Sequence, residues 1–487
     1  MQEIVTIGVS HRANHLVTQF FNCQEQNLHV KDSSNSLDPS YFLYPNVDEL
    51  TRTVSYYPRA LLWEARNGFG SLGTYQYTSR STDYYYQEDN ESLQAISKDY
   101  QLIKTQEPVP KSKYQLALDQ NQTSLPKLTK ESTKFWSDYS KLIYEPWSFN
   151  HLSEWYHDLA NPNRPDYQGL GKRFFQSMDQ GSDEWLKQKD HFLDENLRTA
   201  LEQCDSLQGF NVVTDIDSGW GSFTACMLES IRDELPKKAI FAWGLNEPEY
   251  FTQLSRQRGQ ALLNKIECTL KLSQESDLVF PLAVESKELS NWGVASQLCK
   301  VYDTVASIMA IRDQNKRRNM GFLIDCLTGD NESRNIISLM HDSHDDFEFS
   351  YFARSPCYYR KRAPQNPKDT VVYYEFSQCE IIRGLREDDS AEKKPSLSGP
   401  QSLLTTSYMP SDTICDRFAE TTEFAIKLAM TEKSKDVLKT WNDYVTTYLR
   451  FDDKRESLKE EVGNLLSCYQ YGWDSEIDDD DSYDDGL

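Results

Sequence analysis

The residues best placed for chemistry near the start of the chain lie in GVSHRANH, residues 8–15. Its four candidate side chains are Ser10, His11, Arg12 and His15. A β-branched run precedes this stretch and apolar residues follow at helical spacing, which predicts a strand, a loop over residues 8–12 and a helix. The unpaired N–H groups of a helix start could bind a phosphate there, with added charge from Arg12. On these residues alone, an ordinary strand-to-helix loop with a surface arginine is the favoured alternative.

A second loop of this kind, TDIDSGWGSF at residues 214–223, follows the predicted strand GFNVV. Its small and hydroxyl-bearing candidates are Ser218, Gly219, Gly221 and Ser222. The next segment, TACMLESIRDELPKK, is predicted to be a helix, and AIFAWGL the next strand. Strand, glycine-containing turn, helix and strand in this order predict a parallel α/β sheet that binds ligands at the carboxyl ends of its strands.

Composition and charge limit the class of protein. The 487 residues include 10 Trp, 28 Tyr and 22 Phe, which suffices for two or three folded domains. The net charge of −24 argues against direct binding to DNA or RNA, because that affinity comes from Lys and Arg that neutralise phosphates. No apolar stretch approaches the ~20 residues of a membrane-spanning helix, and we expect no cleavable targeting segment.

The cysteines and histidines do not predict a metal site. The ten cysteines form no CxxC pair and have no histidine at ligand spacing, so we expect reduced thiols. His341 and His344, in HDSHDD, could hold a metal with the neighbouring aspartates, but a solvated acidic loop is the favoured interpretation.

The rest of the chain divides by composition. The polar stretch 74–133 predicts an insertion or a long, partly disordered loop. The aromatic segment FWSDYSKLIYEPWSFNHLSEWY, residues 135–156, is predicted to pack on a hydrophobic wall rather than to form a ligand site. The segment 386–411 is a predicted connector, and DSEIDDDDSYDDGL a disordered acidic tail. Further helices are predicted at residues 191–207, 254–274, 293–313, 412–431, 434–449 and 454–470.

Together these segments resemble tubulin, of the tubulin/FtsZ-like superfamily, from end to end. The similarity lies in MQEIVTIGVSHRANHLVTQFFN, in YPRALLWEARNG, in CDSLQGFNVVTDIDSGWGSFTACMLESIRDELPKK, and in the final helices with their acidic tail. Residues 74–150 have no counterpart in tubulins, and FWSDYSKLIYEPWS there is similar to a signature of the Misato family. Members of that family are tubulin-like proteins linked to mitochondrial distribution and, in fungi, to mitochondrial DNA inheritance.

The resemblance implies an α/β fold, in which a tubulin-like, parallel-sheet nucleotide domain is followed by a second α+β domain and by C-terminal helices with an acidic tail. The implied divisions are 1–73 and 151–315 for the nucleotide domain, 74–150 for a Misato-type insertion, 316–411 for the second domain with connector 386–411, 412–473 for the C-terminal helices, and 474–487 for the disordered tail.

The first nucleotide loop departs from the tubulin pattern. Tubulins carry Gly, Gln, Cys and Gln where this chain has, in order, Ser10, His11, Arg12 and His15. Arg66 stands where tubulins place an acidic residue that helps to hold magnesium, and a guanidinium cannot ligate a cation.

The phosphate loop departs as well. It keeps Ser218, Gly219, Gly221 and Ser222. Asp217 brings a negative charge near the place of the phosphate, while Trp220 and Phe223 bring bulk where glycine would let backbone N–H groups approach it. No segment matches the loop that polymer-activated hydrolysis requires in tubulins. We therefore predict a degenerate nucleotide site with no catalytic residues, and not an enzyme.

Three functional hypotheses follow. The leading one is a non-catalytic tubulin-like factor, at the mitochondrial outer surface or in the cytoplasm, that supports organelle partitioning and, indirectly, mitochondrial DNA inheritance. It predicts no cofactor, partners among proteins of the mitochondrial surface or cytoskeleton, no direct nucleic-acid contact and no transmembrane segment. The second is a GTP-binding protein, a slow GTPase or filament subunit with GTP as its cofactor. The third is a partner or client of the cytosolic chaperonin.

Overall fold

The structure is a computed structural model of the chain. It describes residues 2–29, 37–47, 52, 54–74, 109–158, 160–161, 164–169, 173–247, 256–284, 289–329, 331–355, 373–384, 401–450 and 453–472.

Strands and helices are numbered along the described chain. The strands are β1 Glu3–Val9, β2 Leu43–Val47, β3 Val54–Pro58, β4 Ala60–Arg66, β5 Phe149–Tyr156, β6 Tyr167–Gln168, β7 Arg173–Phe174, β8 Leu207–Asp215, β9 Ala239–Asn246, β10 Leu278–Ala283, β11 Leu339–Asp342, β12 Phe347–Glu348, β13 Glu375–Arg383, β14 Gln401–Thr405 and β15 Phe424–Thr431. The α-helices are α1 His11–Leu28, α2 Lys113–Asp119, α3 Met178–His191, α4 Arg198–Glu202, α5 Gly219–Glu234, α6 Arg256–Glu275, α7 Asn291–Ser307, α8 Met320–Thr328, α9 Tyr351–Arg354, α10 Lys433–Tyr448 and α11 Arg455–Cys468.

The larger sheet has eight strands in the order β10-β9-β8-β1-β4-β5-β6-β7. Its first six strands in that order pair in parallel, and β6 and β7 add an antiparallel edge. This confirms the predicted parallel sheet. Val9, at the end of β1, is in register with Thr214 of β8, so the two candidate loops emerge side by side at one edge of the sheet.

Both faces of the larger sheet are covered, as a parallel sheet requires. Alternate residues of β4 belong to two different apolar clusters, with Ala60 and Leu62 in one and Leu61 and Trp63 in the other. The first cluster includes residues of α1, α7 and the second sheet, and the other includes residues of α3, α5, α6, α10 and α11.

The second sheet has five strands in the order β12-β11-β15-β13-β14. The helix predicted at 412–431 is wrong, because this segment, every residue of which is described, ends in the central strand β15. The run FAIKLAMT is short and apolar, and periodicity cannot assign such a run, so pairing with β11 and β13 decides its structure. Part of the predicted connector 386–411 is also wrong, since residues 401–405 form β14 in parallel with β13.

The other helix predictions hold with small differences in length. α6, α10 and α11 confirm the helices predicted at 254–274, 434–449 and 454–470, and α7 ends at Ser307 rather than near 313. The predicted helix at 191–207 instead ends at Glu202, after one π-helical turn. None of the described helices is long and apolar enough to cross a membrane.

The predicted insertion is described only in part. Residues 75–108 of the polar stretch and the acidic tail at 474–487 lie outside the described residues, and α2 lies within residues 109–133. The aromatic segment packs as predicted, because the side chains of Trp136 and Tyr139 are fully buried.

Candidate functional site

The first candidate loop is one residue long. Ser10 alone separates β1 from α1, and its Oγ accepts a hydrogen bond from the backbone N–H of Ala13 at 3.1 Å, which caps the helix. The φ of Ser10 is 125°, a conformation that favours glycine, so the serine is held under strain. The predicted loop over residues 8–12 is therefore wrong in extent, because the serine cap starts the helix at His11.

In the second loop, backbone groups that a phosphate would need are engaged within the chain. The N–H of Gly219 donates to the carbonyl of Phe175 at 3.2 Å, and the N–H of Gly221 donates to the carbonyl of Ser218 at 3.1 Å. A Cβ on Gly219 would lie 3.1 Å from the Phe175 ring, so this aromatic covers the start of α5.

Helix α3 closes the other side of the second loop. The Oγ atoms of Ser222 and Ser182 lie 2.7 Å apart, and a Cβ on Gly181 would lie 2.0 Å from the carbonyl oxygen of Gly219. Ser218 Oγ is buried and has no hydrogen-bond partner among the described residues. The loop thus keeps the glycines of a phosphate site, but its own chain occupies the approach.

Arg12 is surrounded by carboxylates. Its Nε lies 3.0 Å from Asp215 Oδ1, its Nη2 2.8 Å from Asp217 Oδ1 and its Nη1 3.4 Å from Glu247 Oε1. Burial raises the pKa of Asp215 to about 6, although Arg12 opposes that shift. An incoming phosphate would have to displace these carboxylates from the guanidinium, and it would then be repelled by them.

Three buried histidines meet beside the first loop. The ring of His11 stacks on that of His157 with centroids 4.1 Å apart, and its Nε2 lies 3.3 Å from Nε2 of His15. Only His11 and His15 are among the sequence-predicted residues, since His157 follows the end of β5.

The partners of His11 favour its protonated form. Nδ1 lies 2.9 Å from Glu64 Oε1 and Nε2 lies 3.2 Å from the carbonyl oxygen of Lys134. An ionised carboxylate and a carbonyl only accept hydrogen bonds, so this pair of partners favours a proton on both ring nitrogens of His11. Burial by itself would lower the pKa of His11, but the ion pair and hydrogen bond with Glu64 outweigh burial and raise it. The contact with Glu64 therefore favours the charged form of His11 more than in an ordinary buried histidine.

His15 is the neutral member of the cluster. Its Nδ1 lies 2.7 Å from the hydroxyl of Tyr139, while its Nε2 faces the N–H of His11 and accepts from it. Burial holds the pKa of His15 well below 6.5, and repulsion from His11 and His157 lowers it further.

The network extends from the first loop to the second. His157 Nδ1 lies 2.9 Å from Asp166 Oδ1, and the other oxygen of Asp166 accepts a hydrogen bond from Trp220 Nε1 at 2.8 Å. Trp220, which the sequence offered only as added bulk, is thus a buried hydrogen-bond donor that joins α5 to the histidine cluster.

Residues 134–139, here called the covering segment, close the histidine cluster. Trp136 donates from Nε1 to Glu64 Oε1 at 2.8 Å, and Lys134 and Tyr139 supply the contacts to His11 and His15. The segment predicted to pack on a hydrophobic wall therefore also packs directly on two predicted site residues, His11 and His15.

The remaining candidates lie elsewhere. Arg66 donates from Nε to the carbonyl of Ser153 at 2.6 Å, between β4 and β5. His341 and His344 are each near an aspartate, but among the described residues no group of His, Cys, Asp and Glu could hold a metal ion. The nine described cysteines are free.

Comparison with known proteins identifies the family. Residues 2–120 match the family described as Misato Segment II tubulin-like domain, and residues 125–310 match the family described as tubulin domain. The chain is 41% identical to Protein DML1 of Kluyveromyces lactis, over 99% of each chain, and 40% identical to Protein DML1 of Eremothecium gossypii, over 100% of each. The chain belongs to the Misato family of tubulin-like proteins. Protein DML1 of Yarrowia lipolytica is 29% identical, over 99% of this chain and 100% of its own.

The tubulin-like fold expected for a Misato-family chain is thereby confirmed. Sequence analysis missed the residues that close its two loops: Glu64, Trp136, Tyr139, His157, Asp166 and Phe175. Glu64 and His11 are 53 positions apart, and Tyr139 and His15 are 124 apart, so no local spacing relates them. A buried glutamate inside an otherwise apolar strand, LLWEA, was the one signal that could have drawn attention to this site.

Replacement of Arg12 tests the ion cluster. Arg12→Gln leaves Asp215 and Asp217 without their cation, and we expect a loss of about 3 kcal/mol in the free energy of unfolding at pH 7.5. The native pKa of Asp215 lies above its unfolded value of about 3.9, so protonation favours the folded state and stability falls as pH rises. Because Arg12 lowers the pKa of Asp215, its removal raises that pKa further and favours protonated Asp215 at pH 5. The loss in the free energy of unfolding should therefore be smaller at pH 5 than at pH 7.5, measured by urea unfolding. The double variant Arg12→Gln/Asp217→Asn should recover part of the loss, and an equal loss at both pH values would contradict this account.

Replacement of His15 tests the histidine cluster. Because its native pKa lies below 6.5, the unfolded state takes up a proton first, and His15 costs stability as pH falls below 6.5. His15→Gln should remove up to about 1.4 kcal/mol per pH unit from the acid dependence of unfolding below that pH. His29→Gln, at an exposed histidine, is the matched control and should leave the dependence unchanged. The same pH dependence in wild type and His15→Gln would show that folding does not lower the pKa of His15.

Proposed function

We propose that this chain is a non-catalytic tubulin-like factor that supports the partitioning of mitochondria, and through it the inheritance of mitochondrial DNA. Its place of action is the mitochondrial outer surface and the cytoplasm, where it binds proteins. The mitochondrial part of the proposal rests on the resemblance to the Misato family and on the chain's membership in it. A net charge of −24 favours protein partners over DNA.

The observation that carries the non-catalytic part is the engagement of Arg12 by Asp215 and Asp217 at 3.0 and 2.8 Å. In a phosphate site the nearby cation must be available to the ligand, because the affinity comes from that charge and from free backbone N–H groups. Here the guanidinium is neutralised by carboxylates, and the N–H of Gly219 is bonded to Phe175. Both attractive parts of a phosphate site are thus used to hold the fold.

Nucleotide binding is the direct test of the filled site. Calorimetry with GTP and magnesium should detect no binding tighter than about 10 µM, equivalent to roughly −7 kcal/mol, because a bound phosphate would have to break the Arg12 ion pairs. Mass spectrometry of the purified protein should find no guanine nucleotide. One equivalent of GTP or GDP that survives purification would instead favour the GTP-binding alternative and overturn the non-catalytic proposal.

A matched pair of variants tests the function in cells. Ser222→Ala removes the hydroxyl that the tubulin resemblance assigns to the phosphate loop, and Ser182→Ala removes the other partner of the same 2.7 Å contact from α3. If function requires no nucleotide, each variant, as the sole copy, should support normal mitochondrial distribution and mitochondrial DNA retention. Loss of inheritance with Ser222→Ala but not with Ser182→Ala would show that the loop binds a nucleotide. If cells without the gene inherit mitochondria normally, the mitochondrial proposal is wrong.

A further inference from the structure

A polar cleft lies at the opposite edge of the larger sheet from the filled loops. It has a volume of about 260 Å³ and is lined by Gln2, Tyr41, Gln208, Met309, Arg317, Arg318, Asn319 and Phe322. Gln2 immediately precedes β1 and Gln208 is the second residue of β8, so the cleft is at the amino ends of these strands. Its other wall is the loop between α7 and α8 together with the first turn of α8.

Two adjacent guanidiniums dominate the lining of the cleft. The side chain of Arg317 makes no ion pair or hydrogen bond with any described residue. Arg318 donates from Nη1 to the carbonyls of Asn315 and Arg317 at 2.8 and 3.0 Å, but its Nε is buried and finds no partner in the described part of the chain. Arg317 is therefore the guanidinium whose N–H donors are available to a ligand that supplies oxygen atoms.

Aromatic rings hold the two guanidiniums in place. The Cζ of Arg317 lies 5.3 Å from the ring centroid of Tyr41, and the Cζ of Arg318 lies 5.2 Å from that of Phe322. Cation–π contact holds each guanidinium at the cleft, and for Arg317 it does so without using the N–H donors. The donors are thus positioned before a ligand arrives.

Three carboxylates whose residues lie close in the chain to cleft residues each accept a backbone N–H. Glu3 accepts the backbone N–H of Ser206 at 2.8 Å, Asp38 accepts that of Ser40 at 3.1 Å, and Asp313 accepts that of Asn315 at 3.0 Å. Neither Arg317 nor Arg318 is within ion-pair distance of a carboxylate among the described residues. Arg12, by contrast, has three carboxylates within ion-pair distance.

We propose that this cleft binds a phosphate group, as free phosphate or as the phosphate monoester of a small molecule or a lipid headgroup. Planar guanidiniums match the geometry of phosphate oxygens and bind them with paired, charge-assisted hydrogen bonds. The cleft is smaller than the roughly 300–1,000 Å³ of sites for drug-sized ligands, which favours a single phosphate group over a nucleotide. Since the site is at the other edge of the sheet, it does not depend on the proposed function.

The expected effect of binding is stabilisation of the contact between the two parts of the fold. The cleft joins the larger sheet to α8, and α8 packs against β13 and β15 of the second sheet. A ligand that binds only the folded state raises the thermal midpoint in proportion to the logarithm of its concentration once it exceeds the dissociation constant. Inorganic phosphate should therefore raise the midpoint saturably compared with chloride at equal ionic strength.

Three variants of the full-length protein test the assignment. Arg317→Gln should weaken the phosphate effect about tenfold or more, because it removes a charge-assisted pair of hydrogen bonds. Arg317→Lys keeps the positive charge but lacks the paired N–H donors of a guanidinium, so it should give an intermediate loss of the phosphate effect. Arg312→Gln is the matched control, since Arg312 is on the same loop and donates to the carbonyl of Leu37 rather than lining the cleft. The side chain of Arg317 has no hydrogen bond among the described residues. The thermal midpoint of each Arg317 variant without phosphate should therefore stay near that of the wild type.

Vesicle flotation then separates the two sources of phosphate. Binding to phosphatidylcholine vesicles that contain phosphatidic acid, lost in Arg317→Gln, would assign a lipid headgroup. No flotation together with a phosphate-dependent midpoint would assign a soluble phosphate. No saturable effect of phosphate on the wild type, or an equal loss in Arg312→Gln and Arg317→Gln, would overturn the proposal.

Discussion

The ion pairs of Arg12 with Asp215 and Asp217 join the ends of two neighbouring strands. Because β1 and β8 run in parallel and in register, the residues that follow them emerge at the same edge of the sheet, where the starts of α1 and α5 also meet. Two carboxylates placed there would repel each other and would be poorly solvated, and the guanidinium compensates for both effects. The same contact removes the cation from any ligand, so the stability of this edge and its capacity to bind phosphate are opposed.

The histidine cluster shows how the chain fills the remaining space. The ring of His11, whose pKa is raised, lies between Glu64 and the carbonyl of Lys134, and His15, whose pKa is lowered, lies beside it. A buried charge is tolerated only when it is paired and hydrogen-bonded, and the covering segment supplies part of that pairing through Trp136. The covering segment thus packs directly on His11 and His15, at the start of α1. Aromatic and carboxylate side chains of the chain itself connect the two loops through His157, Asp166 and Trp220.

The two edges of the larger sheet differ in charge and in access. At the carboxyl edge, three carboxylates surround Arg12, and backbone carbonyls accept the N–H groups of Gly219 and Gly221. At the amino edge, two guanidiniums line an open cleft without carboxylate partners among the described residues. The chain has a net charge of −24, so two arginines without ion pairs among the described residues form a local positive site that attracts an anionic ligand.

Local sequence patterns were sufficient to predict the helices and strands whose conformation depends on residues close to them in the chain. The strand and helix at the amino terminus, the strand–turn–helix–strand unit of β8, α5 and β9, and the helices α6, α10 and α11 all have an apolar period that one conformation satisfies. The sequence also indicated the family, because the motifs at both candidate loops and in the aromatic segment follow the order expected for a Misato-family protein.

Tertiary structure alone decided the rest. The run at 424–431 is apolar on nearly every side, so only its pairing with β11 and β13 makes it a strand rather than a helix. The site was decided in the same way, since the residue types at His11 and Arg12 are compatible with phosphate binding. Their partners Glu64 and Asp215 are 53 and 203 positions away, and it is the folding of β4 and β8 against β1 that places carboxylates at both side chains. A sequence determines which groups can carry charge, whereas the distances between distant groups determine which charges are already paired.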